Sequence, residues 1–509
     1  METTFYLCNI FILVATYLSV IYIWGKLQNR PPSPFLCFPV IGHLYVAKHP
    51  LSESLANLKN RFGPIIFLWF GSRPSLIVSS PSAAEECLNT NDVVFCNRVR
   101  GTFVGKYRGY DYTSLNFAPY GPHWRNLRKI CTVEVLSSKR LQSLAAIRAD
   151  EVKLLIKRLC NSSSSQGVEM RPQIFDANLN MMTRMIFGES YFGLEACTEK
   201  AKRVREIVME SIVLSAMPFI GDDVPYLRWL NWRENRRFME YKDKRDSLFK
   251  ELMEEHRIKK KEMTKFINLD VKVKPMIHAL LELQESNPEY YHDHLLHSLI
   301  LDLLIGSSET STNTVEWALS LLLNHPQVLE KVRIEIDNHV GFARLLEEPD
   351  LNHLPYLRCV LNETLRMYPP FPLLFPHESS PKNDCIVGGY RIPRGTLLLV
   401  NIYAIQNDPM IWDSPRTFRP ERFEGIEGHK VGYKMMPFGS GRRSCPGEGL
   451  AIRVMGLMLG TIIHCLDFRR IDDTLVDMTQ LDSPNMQMAM PLNARIEPRQ
   501  FMLNLLEKN

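Results

Sequence analysis

The sequence contains no Cys-x-x-Cys pair, although it has 11 cysteines in 509 residues. An odd number of widely scattered thiols argues against a disulfide framework and for a reducing, cytosol-facing environment. No Gly-x-Gly-x-x-Gly follows a predicted strand, so the chain shows no sign of its own nicotinamide- or flavin-binding domain. Long Lys/Arg blocks are also missing and the net charge is only +5, so nucleic acid is not an expected partner.

Charge is absent from one long segment near the N-terminus. Residues 3–24 (TTFYLCNIFILVATYLSVIYIW) carry no charged side chain, and about 20 such residues suffice for a helix to cross a bilayer. Glu2 precedes the segment, whereas Lys26 and Arg30 follow it. This asymmetry disfavours a cleaved secretory signal and puts the following chain in the cytosol.

These features divide the chain into three parts. We expect residues 1–25 to form a transmembrane anchor. Residues 26–42 contain basic side chains and prolines that favour extended backbone, which predicts a hinge. Residues 43–509 would then form one main domain.

The main domain shows signals for both helices and short strands. Residues 65–80 (IIFLWFGSRPSLIVSS) predict two strands joined by a turn. Residues 294–324 lack proline and predict a helix of roughly 45 Å. Residues 448–466 repeat apolar side chains at spacings of three and four, which indicates a buried helix.

The middle of the long predicted helix is unusual. Gly306-Ser-Ser-Glu-Thr-Ser-Thr312 consists largely of poor helix formers placed between apolar stretches. Ser and Thr hydroxyls can bond carbonyl groups one turn back, so the sequence predicts a bend or bulge here. Such a flaw in an apolar helix suggests a functional site.

A lone cysteine lies in the loop PFGSGRRSCPGEG, residues 437–449. Pro446 after it suits a helix start, and a helix N-terminus lowers the pKa of a thiol and favours the thiolate. The thiolate of Cys445 could be a nucleophile or a metal ligand. No His is placed to activate it as a nucleophile, and zinc would need three more ligands. Haem iron needs only one protein ligand, which this loop supplies.

The loop and four further motifs resemble a plant microsomal cytochrome P450, and they occur in that family's order. The motifs are WRNLRK from Trp124, Glu309-Thr310, Glu363-x-x-Arg366, FRPERF from Phe418, and Phe438-x-x-Gly441-x-Arg443-x-Cys445-x-Gly447. The resemblance runs from the membrane anchor to the C-terminus. It implies a mainly α fold with small β-sheets (α+β), in which one haem-thiolate monooxygenase domain follows an N-terminal membrane helix.

The resemblance also implies the cofactor and the residues that hold it. The cofactor would be haem b, with the Cys445 thiolate as axial iron ligand. Glu363, Arg366 and Arg422 would form a buried triad that supports the haem loop. The residues implied to bind the haem and its propionates are Trp124, Arg128, His377, Phe438, Gly439 and Arg443.

Glu309 and Thr310 match the family's acid–alcohol pair, which delivers protons to iron-bound dioxygen. Two departures stand out. Ser307 occupies a position where the family usually has Gly, and plant members more often have Asp than Glu at position 309. Both changes concern the efficiency of oxygen activation rather than the type of reaction.

Family position also implies the substrate pocket, which the apolar lining makes suitable for an apolar or aromatic substrate. The residues expected there are Ile305, Gly306, Phe371, Leu373, Leu374 and Met488. The sequence is most similar to the branch containing isoflavone 2′- and 3′-hydroxylases. That branch also includes enzymes for lignans, xanthones, indolic glucosinolates and terpenoids, so the substrate stays open.

The expected function is hydroxylation of a hydrophobic plant metabolite such as an isoflavonoid, using O2 and electrons from NADPH through a cytochrome P450 reductase. Cytochrome b5 is a further candidate partner, and membrane lipid surrounds the anchor. The expected location is the endoplasmic reticulum membrane, single-pass, with the catalytic domain facing the cytosol. Alternatives are an oxygen-independent haem-thiolate isomerase or dehydratase, which the intact Glu309-Thr310 pair disfavours, and a non-catalytic haem sensor.

Overall fold

A computed structural model of the protein describes residues 2–48, 50–162, 167–190, 199–265, 274–429 and 431–502. The α-helices are α1 (Glu2–Leu27), α2 (Leu51–Phe62), α3 (Pro81–Glu85), α4 (Phe103–Tyr107), α5 (Pro122–Lys129), α6 (Ser138–Ser143), α7 (Ala145–Asn161), α8 (Met170–Phe187), α9 (Glu199–Ala216), α10 (Ile220–Asp223), α11 (Trp232–Lys265), α12 (Met276–Ser286), α13 (Asp293–Asn324), α14 (Pro326–Val340), α15 (Pro355–Met367), α16 (Ile402–Gln406) and α17 (Glu448–Cys465). Short 3₁₀ or π segments lie at Leu44–Val46, Glu86–Thr90, Ile130–Val135, Pro225–Asn231, Glu348–His353, Pro420–Phe423 and Gly441–Arg443.

The strands are short and form three small sheets. They are β1 (Ile65–Phe70), β2 (Arg73–Val78), β3 (Asn97–Arg98), β4 (Val168–Glu169), β5 (His377–Glu378), β6 (Cys385–Val387), β7 (Tyr390–Ile392), β8 (Leu397–Val400), β9 (Leu466–Arg469) and β10 (Asn493–Pro498). The largest sheet has the order β1-β2-β8-β5-β3, the second has β4-β10-β9, and the third is the hairpin β6-β7. The expected mainly α fold with small β-sheets is confirmed.

The predicted hairpin over residues 65–80 is present as β1 and β2, which pair antiparallel with Ile66 opposite Ile77. Because side chains alternate along a strand, β2 sends Leu76 and Val78 into one apolar cluster and Ile77 into another. Strand β8 adds to β2 in parallel. The sheet therefore separates two layers of apolar packing.

The far edge of this sheet matters for the site. Strand β5 pairs antiparallel with β8 and also with β3. The β3–β5 register places Arg98 directly opposite His377. Two basic side chains from distant parts of the sequence are thereby brought together.

Helix α13 runs through the main apolar core. Between Leu295 and Leu323 most of its side chains are buried, including Trp317. It packs against α8, α15 and α17, and α17 is itself buried from Val454 to Cys465. The expected long helix and the expected apolar helix after Cys445 are both confirmed.

The N-terminal helix α1 contains the apolar segment Ile12–Leu27. Among the described residues, Glu448–Cys465 also has the length and hydropathy of a membrane span, but it is 72% buried in the protein and is therefore a core helix. The segment expected to be a hinge contacts the main domain, since the Phe67 N–H donates to the Pro32 carbonyl oxygen at 2.9 Å. Cys37 in the same segment is buried.

Candidate active site

The loop before α17 is held in a fixed shape by backbone contacts. The Cys445 N–H donates to the Phe438 carbonyl oxygen at 2.8 Å, and Gly439 has a positive φ of 69°. At Gly441, φ is 71° and a Cβ would lie 2.2 Å from the Leu88 carbonyl oxygen. Only glycine fits at that position, because both the conformation and the close approach exclude a side chain.

The pKa of the Cys445 thiol differs from the sequence-based expectation. Burial raises it, while the N–H groups of Gly447 and Glu448 and the Arg128 guanidinium lower it by a smaller amount. The N–H groups at the start of α17 thus lower the pKa of the thiol as expected, but the cost of burying a thiolate is larger and the net pKa is raised. A bound metal cation would favour the ionised sulfur.

Three arginines surround this loop and bond to neutral groups. Arg128 Nη1 donates to the Ser444 carbonyl oxygen at 2.6 Å. Arg443 donates to three carbonyl oxygens, including that of Ala118 at 2.5 Å. Arg98 donates to the Phe375 carbonyl oxygen at 2.6 Å. Within the described residues, none of the three forms a salt bridge with a carboxylate.

Burial makes this concentration of positive charge costly. It lowers the pKa of Arg128 and of Arg98, and it lowers that of Arg443 to about 10. It also lowers the pKa of His377 well below its usual value, with Arg98 adding to the effect. His377 Nδ1 lies 2.8 Å from the Phe95 carbonyl oxygen, which can only accept, so Nδ1 carries the hydrogen.

These residues fit the haem that the sequence implies. Buried cations without acidic partners are the groups that two propionate carboxylates would neutralise. A carboxylate beside His377 would also favour its imidazolium form. Trp124 belongs to the same group, since the Arg443 guanidinium lies 4.2 Å from its ring centre and its indole N–H donates to Leu115. The structure thus brings together Trp124, Arg128, His377, Arg443 and the Cys445 loop.

The predicted triad is assembled with full burial. Arg366 donates to both Glu363 oxygens at 2.7 and 2.8 Å, and Arg422 Nε donates to Glu363 Oε1 at 3.0 Å. Glu363 and Arg366 are both completely inaccessible to solvent. The Arg419 N–H also donates to Glu363, which ties α15 to the segment that leads into the cysteine loop.

The polar middle of α13 remains α-helical throughout. The expected bulge is therefore not seen as a change of helix type. Instead, hydroxyl groups bond carbonyls one turn back: Thr310 to Gly306 at 2.7 Å and Thr312 to Ser308 at 2.6 Å. A Cβ added at Gly306 would meet no atom within 4 Å, so this face of α13 borders open space, which we call the distal cavity.

Glu309 and Thr310 point to different partners. The Glu309 carboxylate is buried, pairs with Arg171 of α8 and accepts a hydrogen bond from Gln487. Arg171 also binds Glu316, two turns further along α13, at 2.6 Å. The acid expected beside Thr310 is thus paired with Arg171 of α8.

The structure separates the residues expected in the substrate pocket. Gly306 borders the distal cavity and Ile305 packs partly against the main core. Leu374 is buried with Leu76 and Phe95, but the adjacent Leu373 packs on the other face of the sheet with Leu55. Leu373 and Leu374 therefore face opposite ways, as neighbouring residues in extended backbone do.

Met488 lies well away from the polar middle of α13. Its sulfur lies 3.2 Å from Ser320 Oγ, ten residues beyond Thr310, which is about 15 Å along the helix. Phe371 is half-buried. Phe375, which was not singled out, is 37% exposed and packs edge-on against Phe117 at 5.4 Å.

Arg98 and Arg171 were missed for a common reason. Arg98 ends the short strand β3, and Arg171 lies at the start of α8, just after the short strand β4. Nothing in the adjacent sequence distinguishes Arg98 from Arg100. Only the pairing of β3 with β5 brings Arg98 to the haem edge. Only the packing of α8 on α13 brings Arg171 to Glu309. Neither arrangement leaves a local signal.

Comparisons with known proteins agree with this geometry. The sequence model of the family described as Cytochrome P450 matches residues 31–494. An isoflavone 2′-hydroxylase of Glycyrrhiza echinata is 41% identical over 497 residues, which cover 95% of this chain and 96% of that protein. The (+)-piperitol/(+)-sesamin synthase CYP81Q2 of Sesamum radiatum is 41% identical over 488 residues, covering 95% and 94%. A solved structure of a zebra fish cytochrome P450 with progesterone aligns with a TM-score of 0.76 and 25% identity, covering 89% of this chain and 100% of that one.

Proposed function

The chain belongs to the cytochrome P450 family and is a haem-thiolate monooxygenase, and from this premise we propose that it hydroxylates a hydrophobic aromatic plant metabolite such as an isoflavonoid. The electrons would come from NADPH through a reductase. The single observation that carries this proposal is the pairing of two features. The Cys445 loop lies beside one buried and two half-buried arginines without acidic partners among the described residues, and an α13 face with a threonine hydroxyl opens into the distal cavity.

When bound, haem supplies oxygen activation and electron transfer at an iron held by a cysteine thiolate. In our proposal Cys445 is that ligand. Arg98, Arg128 and Arg443 neutralise the propionates, and His377 and Trp124 complete the polar edge. Phe438 and Gly439 shape the loop that presents the sulfur, because the Phe438 carbonyl accepts from the Cys445 N–H.

On the distal side, the chain must supply protons and exclude bulk water. The Thr310 hydroxyl donates to the Gly306 carbonyl at 2.7 Å, so its oxygen stays free to accept a hydrogen bond from a water molecule. We propose that Thr310 positions such a water. Glu309 would act as a proton reservoir whose exchange with Thr310 is limited by its ion pair with Arg171.

The substrate class rests on the relatives and on the cavity lining. One relative at 41% identity is named an isoflavone 2′-hydroxylase and another a (+)-piperitol/(+)-sesamin synthase. The first name indicates hydroxylation of an aromatic metabolite. Phe117, Phe375 and Ile305 add apolar surface of the kind that binds such rings.

The proposed setting is the cytosolic face of the endoplasmic reticulum membrane. Residues 1–25 would be the anchor, 26–42 the hinge and 43–509 the monooxygenase domain. Helix α5 has Arg125 and Lys129 exposed one turn apart, while Trp124 faces the interior. This exposed basic pair fits an acidic surface on the reductase, or on cytochrome b5.

Turnover measurements test the proposal. Microsomes with the protein, reductase and NADPH are incubated with a panel of isoflavonoids, other phenolics, lignans and terpenoids, with and without O2. Product that needs NADPH and O2 and retains the aromatic skeleton supports the proposal. Product formed without O2 would instead indicate an isomerase or dehydratase. Haem binding without product from any phenolic would contradict the proposed function.

A further inference from the structure

A single carboxylate interrupts the apolar first half of α13. Asp302 lies in the run LILDLLI, four residues before Gly306 and eight before Thr310. Residues four apart share one face of a helix, so these three form a stripe. Gly306 borders the distal cavity. Asp302 therefore lies on the same face of α13 as Gly306, about 6 Å away along the helix axis.

A loop fixes the carboxylate in place. Asn116 Nδ2 donates to Asp302 Oδ1 at 2.9 Å, and the Asn116 N–H donates to Oδ2 at 3.3 Å. The carbonyls of Leu115 and Ala118, on either side of Asn116, accept from Arg443 in the cysteine loop. Asp302 is thus connected to the haem edge through one short segment.

Arg108 is the cation nearest to this carboxylate. Its Nη2 lies 3.7 Å from Asp302 Oδ1, which is too long for a hydrogen bond. Its Nε is buried and has no partner among the described residues. The guanidinium lies 5.5 Å from the centre of the Phe117 ring, which in turn packs against Phe375. The cation therefore adjoins a pair of packed aromatic rings.

This arrangement leaves hydrogen-bonding capacity that the protein does not use. A buried guanidinium with unmade hydrogen bonds is costly, and a carboxylate has about four acceptor sites, more than the two Asn116 bonds and the nearby Ser114 hydroxyl occupy. The pair is neutral overall, so it has no need for a charged ligand. A hydroxyl group suits it, because a hydroxyl can donate to Asp302 and accept from Arg108 at the same time.

We propose that Asp302 and Arg108 form a subsite that binds a hydroxyl group on the aromatic substrate. This inference rests on the proposed function and adds the feature that selects among hydrophobic metabolites. The adjacent Phe117 and Phe375 rings bind the substrate ring, and Asn116 positions the carboxylate. Aromatic metabolites without a hydroxyl are disfavoured, because they leave the buried pair unsatisfied.

Ligand binding to the full-length, haem-loaded protein tests the subsite without turnover. Binding is measured from the shift of the haem Soret band, with two matched pairs of probes. These are a hydroxylated isoflavone with its hydroxyl-free parent, and para-hydroxybiphenyl with biphenyl. The wild-type protein is expected to bind the hydroxylated member of at least one pair about tenfold more tightly.

Three variants locate that selectivity. The selectivity ratio is the dissociation constant of the hydroxyl-free probe divided by that of its hydroxylated partner. In Asp302→Leu and Arg108→Met this ratio is expected to approach one, and the affinity for the hydroxyl-free probes should change little. Asp302→Asn keeps the shape and one acceptor but loses the charge, so its ratio should be intermediate. Asp337→Asn is the matched control, since Asp337 pairs with Arg499 at 2.7 Å outside the site, and its ratio should match wild type.

The proposal is overturned if wild type shows less than about threefold selectivity with both pairs. It is also overturned if the ratio is unchanged in variants that retain the thiolate band of the reduced carbon monoxide complex. Should the Leu and Met variants fail to bind haem, an unchanged ratio in Asp302→Asn overturns it alone. An inactive turnover panel would contradict the proposed function while leaving this binding ratio measurable.

Discussion

The two sides of the candidate active site balance their buried charges in opposite ways. Around Cys445, the cations Arg98, Arg128 and Arg443 bond to carbonyl oxygens and lack acidic partners within the described residues. Along α13, the carboxylates of Asp302, Glu309 and Glu316 each have a cation or an amide from the protein itself.

This difference shows which parts of the site are complete without a ligand. The proximal side concentrates positive charge that only an added anion would neutralise, and haem carries two carboxylates. On the distal side each carboxylate already has a partner from the protein, which suits an apolar substrate, and the Thr310 hydroxyl donates to the Gly306 carbonyl oxygen. Four substitutions test this contrast.

Replacing the ligand on the proximal side has the largest expected effect. Cys445→Ser is expected to lower turnover more than about a hundredfold, because even indirect partners of a metal ligand are worth 10–100-fold. The reduced carbon monoxide complex should lose its thiolate Soret band. Cys465→Ser, at a buried thiol in α17, is the control and should keep the band. A thiolate band that persists without Cys445 would contradict the assignment.

Removing one partner of the buried triad should be nearly as damaging. Glu363→Gln leaves Arg366 and Arg422 without a counter-charge, which is expected to reduce the free energy of unfolding by about 3–5 kcal/mol. Chemical denaturation of the haem-loaded protein measures this. Glu240→Gln, in an exposed pair with Arg236, should cause no measurable change. Equal stability of the two variants would rule out a structural role for the triad.

The distal network should respond to pH. Burial raises the pKa of Glu316, and Arg171 partly offsets this. A carboxyl with a raised pKa binds its proton more tightly in the folded state, so stability falls as pH rises through the ordinary pKa toward the folded one. In Arg171→Met the offset is lost. The free energy of unfolding of this variant should therefore be about 3 kcal/mol lower than that of wild type at neutral pH, and the difference should be smaller near pH 5. Thermal unfolding across pH measures the difference. If the stability difference between Arg171→Met and wild type does not become smaller at low pH, this reasoning is wrong.

The smallest expected effect concerns the haem edge. Arg98→Met removes one of three cations and should speed haem transfer to apomyoglobin about tenfold, the equivalent of one charged hydrogen bond. Arg442→Met provides the comparison, because Arg442 is exposed and already paired with Asp92 at 2.7 Å. Its haem transfer should match wild type. If both variants lost haem at the same rate, general surface charge would explain the effect.

Local sequence patterns were sufficient to predict several of the helices and strands that form the site. The hairpin β1–β2, the length of α13 and the start of α17 after Pro446 follow from periodicity and turn residues. The cysteine loop and the Glu363–Arg366 pair could be located because each is written in a few adjacent residues. Side-chain direction has no such local signal, since the packing of Leu373 and Met488 depends on the register and packing of segments far apart in sequence.

The sequence by itself determined the chemistry that is available: one thiol in a glycine-rich loop before a helix, and hydroxyls in the middle of a long apolar helix. Tertiary structure alone decided which charges meet. Arg98 joins His377 through strand pairing, Arg171 reaches Glu309 through helix packing, and Arg108 approaches Asp302 through a loop. Electrostatic interactions between buried groups depend on distance in space, and separation along the chain carries no information about that distance.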